Sequence, residues 1–458
     1  MTWLDLAQIA ELTGGRLIGA ATQVSSVSID TRHLEAGELF VALCGPRFDA
    51  HDFVARGAAD RAAGLVVSRA VDTALPQVLV DDTGLALARL AEGWRERLAI
   101  PIVGLTGSNG KTTVKEMIGA ILAQSRRVHV TQGNLNNHIG VPLTLLSIRP
   151  EHAYAVVEMG ANHPGEIGGL TDLVRPDVAL ITNAAPAHLE GFRDLEGVAG
   201  AKGEIFSGLA PEGVGIVNAN DPFAPYWRQL VGARRRCLSF ALDRPADVRG
   251  TYDRHGRLVL STPRGEIVVT LSLHGRHNAQ NALAAAAAAL ALEIPLEQIG
   301  AGLEAMRPVG GRLVPRPARN GAWILDDSYN ANPSSFKAAV EVLVSRPGTL
   351  HLVLGDMGEL GEAGPELHHR AGEFAREMGV ERLYAFGPLS RATVEAFGPR
   401  GESFADLDEL VQAVSARLSK GATVLVKGSR AMHMERVVEA LRAPDSLTRS
   451  REGEEHAA

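Results

Sequence analysis

Residues 104–113 read Gly-Leu-Thr-Gly-Ser-Asn-Gly-Lys-Thr-Thr, and they begin at the end of the apolar run IVGL, residues 102–105. A strand, a glycine-containing turn and a helix in this order favour a phosphate-binding P-loop, because free N–H groups at a helix N-terminus attract anions. The motif departs from strict G-x-x-x-x-G-K-[ST], since Leu105 stands five residues before Gly110. An ordinary Gly-rich turn is the alternative. The predicted helix repeats apolar residues at helical spacing, namely Val114, Met117, Ile118, Ile121 and Leu122.

The loop and a nearby acid carry the expected phosphate chemistry. Gly107 and Gly110 let backbone amides face an anion. We expect Lys111 to contact the β- and γ-phosphates of a nucleotide and Thr112 to bind Mg²⁺. Glu158 ends the apolar strand AYAVV, where a carboxylate at the carboxyl edge of a parallel sheet can bind Mg²⁺ beside the nucleotide. A solvated acid at a strand end is the alternative interpretation of this residue.

The chain alternates predicted strands and helices, which indicates the α/β fold class. Residues 1–98 are predicted as an N-terminal domain, 99–308 as a central parallel-sheet domain resembling P-loop ATPases, and 309–445 as a doubly wound, Rossmann-like C-terminal domain. The tail, 446–458, is predicted to be disordered. The predicted strands are LFVAL, GLVVS and QVLVDD, then IVGL, AYAVVEMG, VALITN and VGIVN, and finally WILDD, LHLVLGD, RLYAFG and TVLVKGS.

Composition excludes several other classes of protein. The 458 residues carry a net charge of −7, and the longest basic run is three arginines at 234–236, too short to follow a nucleic-acid backbone. Only Cys44 and Cys237 occur, which rules out a disulfide framework or a cysteine-rich metal site. No apolar run has the roughly 18 residues of a membrane span, and the Ala-rich stretch near residue 282 is predicted as a core helix. We expect a cytoplasmic monomer with no nucleic-acid partner.

Several further motifs resemble the Mur ligases, the ATP-dependent amide-forming enzymes of peptidoglycan precursor synthesis. TGSNGKTT resembles the ATP loop of that family, and TQGNLNNHIGVP resembles its Asn-rich segment. VVEMGAN resembles the metal-binding strand, and ITNAAPAHLEGF resembles the metal-binding His segment. AKGEIF, GRHNAQNALAAAAA, GGR and DDSYNANP follow. The resemblance covers nearly the whole chain, and it implies the fold and the ATP-dependent amide-forming chemistry of the Mur ligases.

The resemblance implies two Mg²⁺ ions, bound by Thr112, Glu158, His188 and Lys202. Lys202, in AKGEIF, matches the family lysine that becomes carbamylated, a change that turns a cation into a carboxylate-like ligand for the second Mg²⁺. Without the family match, Lys202 would be interpreted as a solvated helix residue and His188 as a loop histidine with satisfied hydrogen bonds. Catalytic roles are implied for Lys111, Lys202, His188 and Arg312.

Residues outside the loop are also implied to contact ATP. Asn281 matches the adenine-contacting residue, whereas Asn278 is equally well interpreted as a helix N-cap. Arg312 matches an arginine that reaches the γ-phosphate from the third domain, and Asp327 matches an acid that contacts the ribose; surface charges are the alternative for both. The implied ATP-binding residues are Gly107, Ser108, Asn109, Gly110, Lys111, Thr112, Thr113, Asn281, Arg312 and Asp327.

A segment near the N-terminus is implied to bind the UDP-sugar. Residues 28–32, SIDTR, resemble the S-x-D-[ST]-R segment that lines this site in the family, with Thr31 in place of the commoner serine. Ala50 stands where glycine is common in R-F-D-G-H-D, which weakens the assignment of that second loop. The implied substrate-binding residues are Ser28, Asp30, Thr31, Arg32 and Asn137.

The resemblance implies an ATP-dependent ligase that phosphorylates the terminal carboxylate of UDP-N-acetylmuramoyl-tripeptide and joins the acyl phosphate to D-alanyl-D-alanine. The residue sequences of three segments support this acceptor: MGANHPGEI, GDMGELGE and VKGSRAMHMERVV. Among the ligases that add the preceding amino acid, those that use diaminopimelate carry D-N-P-R, which does not occur in this chain. Folylpolyglutamate synthetase is disfavoured by the UDP-site segment and by MGANHPGEI. A P-loop ATPase switch that makes no product is the alternative from another class.

Overall fold

The computed structural model describes residues 3–46, 48–186, 189–253 and 255–443, so the predicted tail, 446–458, lies outside the described residues. Three successive stretches of the chain each form their own β-sheet. Each of the apolar runs predicted as a strand forms one. The mixed α/β architecture predicted from the sequence is therefore confirmed.

The first stretch folds into a small, mostly parallel sheet. Its elements are α1 (Leu6–Thr13), β1 (Arg16–Ile18), β2 (Val27–Ser28), β3 (Leu39–Val41), β4 (Cys44–Gly45), β5 (Phe48–Asp49), α2 (Ala50–Ala55), β6 (Gly64–Val67), β7 (Gln77–Leu79) and α3 (Thr83–Arg97). The strand order is β1-β7-β6-β3-β2, in which only the β1–β7 pair is antiparallel. Strands β4 and β5 form a separate antiparallel ribbon.

The second stretch forms a nine-stranded sheet with helices on both faces. Its strands are β8 (Ile102–Thr106), β9 (Val128–Val130), β10 (Tyr154–Glu158), β11 (Val178–Ile181), β12 (Val214–Asn218), β13 (Arg236–Leu242), β14 (Val248–Tyr252), β15 (Arg257–Thr262) and β16 (Gly265–Thr270). Its helices are α4 (Lys111–Leu122), α5 (Gly140–Leu146), α6 (Glu166–Val174), α7 (Leu189–Phe192), α8 (Leu195–Gly203), α9 (Ala224–Val231), α10 (Arg276–Ala291) and α11 (Leu296–Ala305).

The order of this sheet is β16-β15-β14-β13-β12-β11-β8-β10-β9. Strands β8 to β14 pair in parallel, whereas β15 and β16 add an antiparallel edge that the sequence analysis did not predict. Alternate residues of the parallel strands enter different cores: Val156 packs with α4 and α10, while Ala155 and Val157 pack on the opposite face. The Ala-rich α10 is buried, as predicted.

The third stretch forms a six-stranded sheet in the order β17-β18-β22-β19-β20-β21. The strands are β17 (Val314–Pro317), β18 (Trp323–Asp327), β19 (Leu350–Gly355), β20 (Arg382–Phe386), β21 (Gly401–Phe404) and β22 (Thr423–Lys427). The helices are α12 (Pro333–Val344), α13 (Gly364–Glu377), α14 (Ser390–Phe397), α15 (Leu407–Arg417) and α16 (Glu435–Leu441). All pairs are parallel except β17 with β18, and two apolar cores cover the two faces.

The first and second sheets share one apolar core near residue 98. Trp94 of α3 is 1% exposed, and its indole N–H donates to the carbonyl of Ile148 at 3.1 Å. Arg95 anchors the same helix by donating to the carbonyls of Val174 and Arg175 at 2.8 and 2.9 Å. The first sheet is thus packed firmly against the second. No helix in the described ranges is long and apolar enough to cross a bilayer.

Candidate active site

The predicted phosphate loop connects β8 to α4 through two glycines with unusual backbone angles. Gly107 has φ +147° and Gly110 has φ +81°. A Cβ at Gly107 would collide with the Thr182 hydroxyl, and one at Gly110 would collide with the Asn281 amide. Helix α4 begins at Lys111 without a side-chain cap. Its first N–H groups are therefore available to an anion.

The segment that follows β11 fixes the phosphate loop through hydrogen bonds. The Asn183 side chain accepts from the Asn109 N–H at 3.0 Å and donates to the Asn109 carbonyl at 3.1 Å. The Thr182 hydroxyl donates to the same carbonyl at 2.7 Å, and the Ser108 hydroxyl donates to the Ala185 carbonyl at 3.1 Å. These bonds preorganise the loop. The sequence alone indicated no role for Asn183 or Thr182.

The side chains of Lys111 and Thr112 lie where the loop meets the third sheet. Lys111 Nζ donates to the Gly107 carbonyl at 2.7 Å. Burial lowers the pKa of Lys111, the Glu158 carboxylate opposes this effect, and the Arg312 cation adds to it. Arg312 donates from Nη2 to the Thr112 hydroxyl at 3.0 Å. The cations Lys111 and Arg312 and the Glu158 carboxylate therefore lie close together beside the loop.

Glu158 is a buried carboxylate with one unsatisfied oxygen. It is 2% exposed at the end of β10, and its Oε1 accepts from Asn136 Nδ2 at 2.8 Å. Its Oε2 is buried without a hydrogen-bond partner among the described residues. A buried, unpaired carboxylate oxygen is costly unless a cation or donor meets it. The geometry fits a ligand for a hard cation such as Mg²⁺ and excludes a solvated strand-end acid.

Helix α10 supplies two asparagines to the same region. Asn281 is 9% exposed, packs against the glycine of the loop at 110, and donates to Asn278 Oδ1 at 3.2 Å. Asn278 donates to the His274 carbonyl at 2.9 Å. The N-cap of α10 is Gly275, so the N-cap interpretation of Asn278 is wrong: the helix begins earlier, at residue 276.

The third sheet contributes an acid, a lysine and an arginine–tyrosine stack. Lys427 Nζ donates to Asp327 Oδ2 at 2.5 Å and to the Asn330 carbonyl at 2.9 Å. Burial raises the pKa of Asp327, and Lys427 opposes that shift. The guanidinium carbon of Arg312 lies 4.4 Å from the centre of the Tyr329 ring. Asp327 and Arg312 are thus held in the site rather than on a free surface, and the sequence analysis missed Lys427.

These groups line one cleft of about 1090 Å³ between the carboxyl edges of the second and third sheets. Ligand sites in open α/β sheets commonly lie at such edges. The residues predicted from the sequence that line this cleft are Ser108, Asn109, Gly110, Lys111, Thr112, Thr113, Asn137, Glu158, Asn281, Arg312 and Asp327.

Two family models match the chain, the Mur ligase middle domain at residues 105–289 and the Mur ligase, glutamate ligase domain at residues 311–430. The UDP-N-acetylmuramoyl-tripeptide--D-alanyl-D-alanine ligase of Escherichia coli (strain K12) is 46% identical over 447 residues, covering 96% of this chain and 99% of that protein. The chain belongs to the Mur ligase family.

Solved Mur ligase structures share the architecture of this chain. A crystal structure of MurF from Acinetobacter baumannii matches it with a TM-score of 0.90 and 38% identity, covering 96% of this chain and 98% of that one. The MurF ligase from Thermotoga maritima, solved in complex with ADP, matches with a TM-score of 0.80 and 30% identity, covering 91% of this chain and 97% of that one. The family resemblance inferred from the motifs is confirmed.

In this Mur ligase, Lys202 is buried beside the cleft. It lies in the last turn of α8, is 2% exposed, and its Nζ lies 5.3 Å from the centre of the Phe192 ring. Burial lowers the pKa of Lys202 to about 7, and the nearby Lys111 cation adds to this shift, while Glu204 and Glu166 oppose it. The interpretation of Lys202 as a solvated helix residue is therefore wrong.

Some residues predicted for the Mur ligase site do not line this cleft. His188 lies outside the described residues, so its role as a metal ligand stays a prediction. Residues 28–32 lie in the first sheet and the loop after it, where the exposed Arg32 pairs with Asp30 at 2.7 Å. The Arg32 guanidinium lowers the pKa of Asp30 to about 2. Ala50 fits at the first position of α2 and is buried.

Proposed function

We propose that this Mur ligase joins D-alanyl-D-alanine to UDP-N-acetylmuramoyl-tripeptide, with ATP converted to ADP and phosphate, in peptidoglycan precursor synthesis. The observation that carries the proposal is 46% identity, over 96% of the chain, to an E. coli protein named for that reaction. The Bacillus subtilis protein of the same name is 35% identical over 94% of the chain. The contents of the cleft fit an ATP-dependent, amide-forming ligase.

The cleft supports a specific placement of ATP. The phosphates would lie on the loop at 107–110 and the N-terminus of α4, where Lys111 and free N–H groups neutralise charge. Asn281 would contact the adenine, and Asp327 would contact the ribose. Arg312 would meet the γ-phosphate, since it already reaches Thr112 at 3.0 Å from the third sheet. Binding in this manner aligns the γ-phosphate with a carboxylate entering from the other side.

The reaction needs a leaving group on the tripeptide carboxylate. Phosphoryl transfer from ATP would give an acyl phosphate, which the amine of D-alanyl-D-alanine would attack to form the amide and release phosphate. The residues of the cleft act mainly by positioning and by offsetting negative charge. Asn137 would bind the tripeptide: it lines the cleft, and because its side-chain oxygen accepts from the Gly140 N–H at 2.9 Å, its NH₂ group remains to donate to substrate.

We propose that this region holds two Mg²⁺ ions through hydroxyl, carboxylate, imidazole and carbamate ligands. Thr112 and the unsatisfied oxygen of Glu158 would bind the first, and His188 and a carbamylated Lys202 would bind the second. Bound Mg²⁺ would supply charge neutralisation at the phosphoryl oxygens. The lowered pKa of Lys202, about 7, supports carbamylation, because only the neutral amine reacts with CO₂.

We also propose domain boundaries near residues 98 and 308, because each sheet takes all its strands from one of the three stretches. Residues 28–32 would bind the UDP moiety, with the Arg32 guanidinium transferred from Asp30 to the diphosphate. We also propose that the enzyme is a monomer and lies in the cytoplasm. The cytoplasmic location is supported by the cysteines, because both are free thiols and thiols stay reduced in that compartment.

Arg312→Ala should reduce the chemical step roughly 10- to 100-fold, because the planar guanidinium would be lost from charge developing at the γ-phosphate. ATP affinity should change less, since the loop and Lys111 hold the ground-state phosphates. Single-turnover ADP formation and ATP binding measured separately test this. Arg307→Ala is the control, because Arg307 is exposed and does not line the cleft. An unchanged single-turnover rate would favour a surface-charge role.

The proposed function is tested by giving the purified protein UDP-N-acetylmuramoyl-tripeptide, ATP and different acceptors, with products followed by mass. D-alanyl-D-alanine should react, whereas single D-alanine should lose turnover as well as affinity. The reason is that contacts to the second residue and its carboxylate hold the attacking amine in line. Supplying diaminopimelate- and lysine-containing tripeptides also identifies the third peptide residue.

Three results would contradict the proposal. Equal reaction of D-alanine would show that no dipeptide pocket exists. A preference for diaminopimelate with UDP-N-acetylmuramoyl-dipeptide would assign the chain to the preceding step of the pathway. ATP hydrolysis independent of any acceptor would instead favour a nucleotide switch.

A further inference from the structure

One chain of hydrogen bonds with a fixed direction runs from the third sheet into the phosphate loop. It begins at the N-terminus of α12, where the Ser335 N–H donates to Asn332 Oδ1 at 2.8 Å. A backbone N–H is always a donor, so the oxygen of the Asn332 amide must face Ser335. The NH₂ group of Asn332 consequently faces the loop and donates from Nδ2 to Asn109 Oδ1 at 2.7 Å.

This direction determines how the Asn109 amide is turned. Because Asn109 Oδ1 accepts from Asn332, the Asn109 NH₂ group points the other way. Its Nδ2 is buried and has no hydrogen-bond partner among the described residues. The Asn109 backbone is held independently by Asn183 and Thr182, so the loop itself does not turn. Asn109 lines the cleft, so its NH₂ group is a buried donor, without a partner in the described part of the chain, on a residue of the cleft lining.

We infer that Asn332 is a positioning residue: it turns the Asn109 amide so that Asn109 Nδ2 donates to an oxygen of the phosphoryl group transferred from ATP. This inference rests on the proposed function, because it needs ATP on the loop. An unpaired, preoriented N–H donor next to Lys111 complements charge that develops during transfer, and it requires no reorganisation at that moment. The reverse orientation would present a carbonyl oxygen to the phosphate and repel it.

The orientation of the Asn109 NH₂ group depends on the position of the third sheet. Asn332 belongs to the N-cap of α12, whereas Asn109 belongs to the loop after β8, 223 residues earlier in the chain. The Asn109 amide is directed only while α12 lies against the loop. Docking of the third sheet thus completes the phosphate site with a donor as well as with Arg312.

Two substitutions separate this role from helix capping. Asn332→Asp keeps an oxygen for the Ser335 N–H and caps as well as asparagine, but its second oxygen attracts the Asn109 NH₂ group and reverses that amide. Asn332→Ser also caps α12, adds no charge, and is too short to reach Asn109, so the Asn109 amide is released without being reversed. Both variants should unfold at the wild-type temperature.

The decisive readout is binding of ADP with aluminium fluoride, a mimic of the phosphoryl group in transfer, compared with ADP alone in the presence of Mg²⁺. In wild type, aluminium fluoride should increase the affinity for ADP. In Asn332→Asp this increase should be about 10- to 100-fold smaller, while the affinity for ADP alone stays within about 2-fold of wild type. In Asn332→Ser the increase should be about 3-fold smaller. Single-turnover ADP formation should fall in the same order.

The inference is overturned if Asn332→Asp matches wild type, or if Asn332→Asp and Asn332→Ser lose the same amount. It is also overturned if affinity for ADP alone falls as much as affinity for the mimic, because Asn332 would then only support the loop. Failure of the proposed function would look different. Wild-type protein would still bind the mimic tightly but would not join D-alanyl-D-alanine to the UDP-tripeptide.

Discussion

Lys111→Ala should lower ATP turnover by roughly 1,000-fold or more and leave the fold intact. Lys111 Nζ donates only to the Gly107 carbonyl, at 2.7 Å, and it has no ion-pair partner within the described part of the chain. Burial in the cleft lowers its pKa, so holding this cation there costs folding free energy, which the Glu158 carboxylate offsets in part and a bound anion would offset further. The measurement is the rate of ADP formation, with circular dichroism and thermal unfolding to check the fold.

The sign of the stability effect is a second part of this prediction. Because the folded-state pKa of Lys111 is lowered, its removal should leave the unfolding temperature unchanged or raise it. Lys420→Ala is the matched control, since Lys420 is an exposed lysine that does not line the cleft. Near-normal turnover by the Lys111 variant would remove the assignment of residues 107–113 as the phosphate loop.

The phosphate loop was predictable because all its signals are local. Strand, glycine, lysine and helix follow within twenty residues, and the two glycines occupy backbone angles that L side chains rarely adopt. Strands β8, β10, β11 and β12 were equally visible, since both of their faces are buried and they consist of continuous apolar runs. The parallel strands β9, β13 and β14 of the same sheet were not predicted. Strands β15 and β16 were missed because one face of each is partly exposed, so no continuous apolar run marks them.

The contacts that complete the site were not predictable from spacing. Asn332 reaches Asn109 across 223 residues, and Lys427 reaches Asp327 across 100. The first pair meets where the second and third sheets pack, and the second meets because β18 and β22 pair in parallel with Asp327 opposite Lys427. Neither partner can be identified from spacing, since an asparagine or lysine in isolation has many roles. The burial of Lys202 was hidden for a related reason. Its helix is rich in glycine and alanine, so no amphipathic pattern separates a buried face from a solvated one.

Lys202→Ala should inactivate the enzyme, with a loss of roughly 100-fold or more, if a carbamate on this lysine binds the second Mg²⁺. Added formate or acetate should partly restore activity, because removal of the buried side chain leaves room for a small carboxylate at the position of the carbamate. The measurement is product formation against concentration of added acid. Amines of similar size should have no effect.

A second variant at position 202 tests whether rescue by added acids depends on the cavity that Lys202→Ala leaves. Lys202→Met keeps most of the side-chain volume and provides no anion, so it should be inactive with or without added acids, while folding as well as wild type. Rescue of Lys202→Ala by amines instead of acids would show that Lys202 acts as a cation, which would exclude the carbamate. The environment argues for the anion: Lys202 already lies close enough to Lys111 for the two cations to repel, and burial lowers the pKa of Lys202 to about 7. A carbamate would reverse that repulsion and attract both Lys111 and the metal.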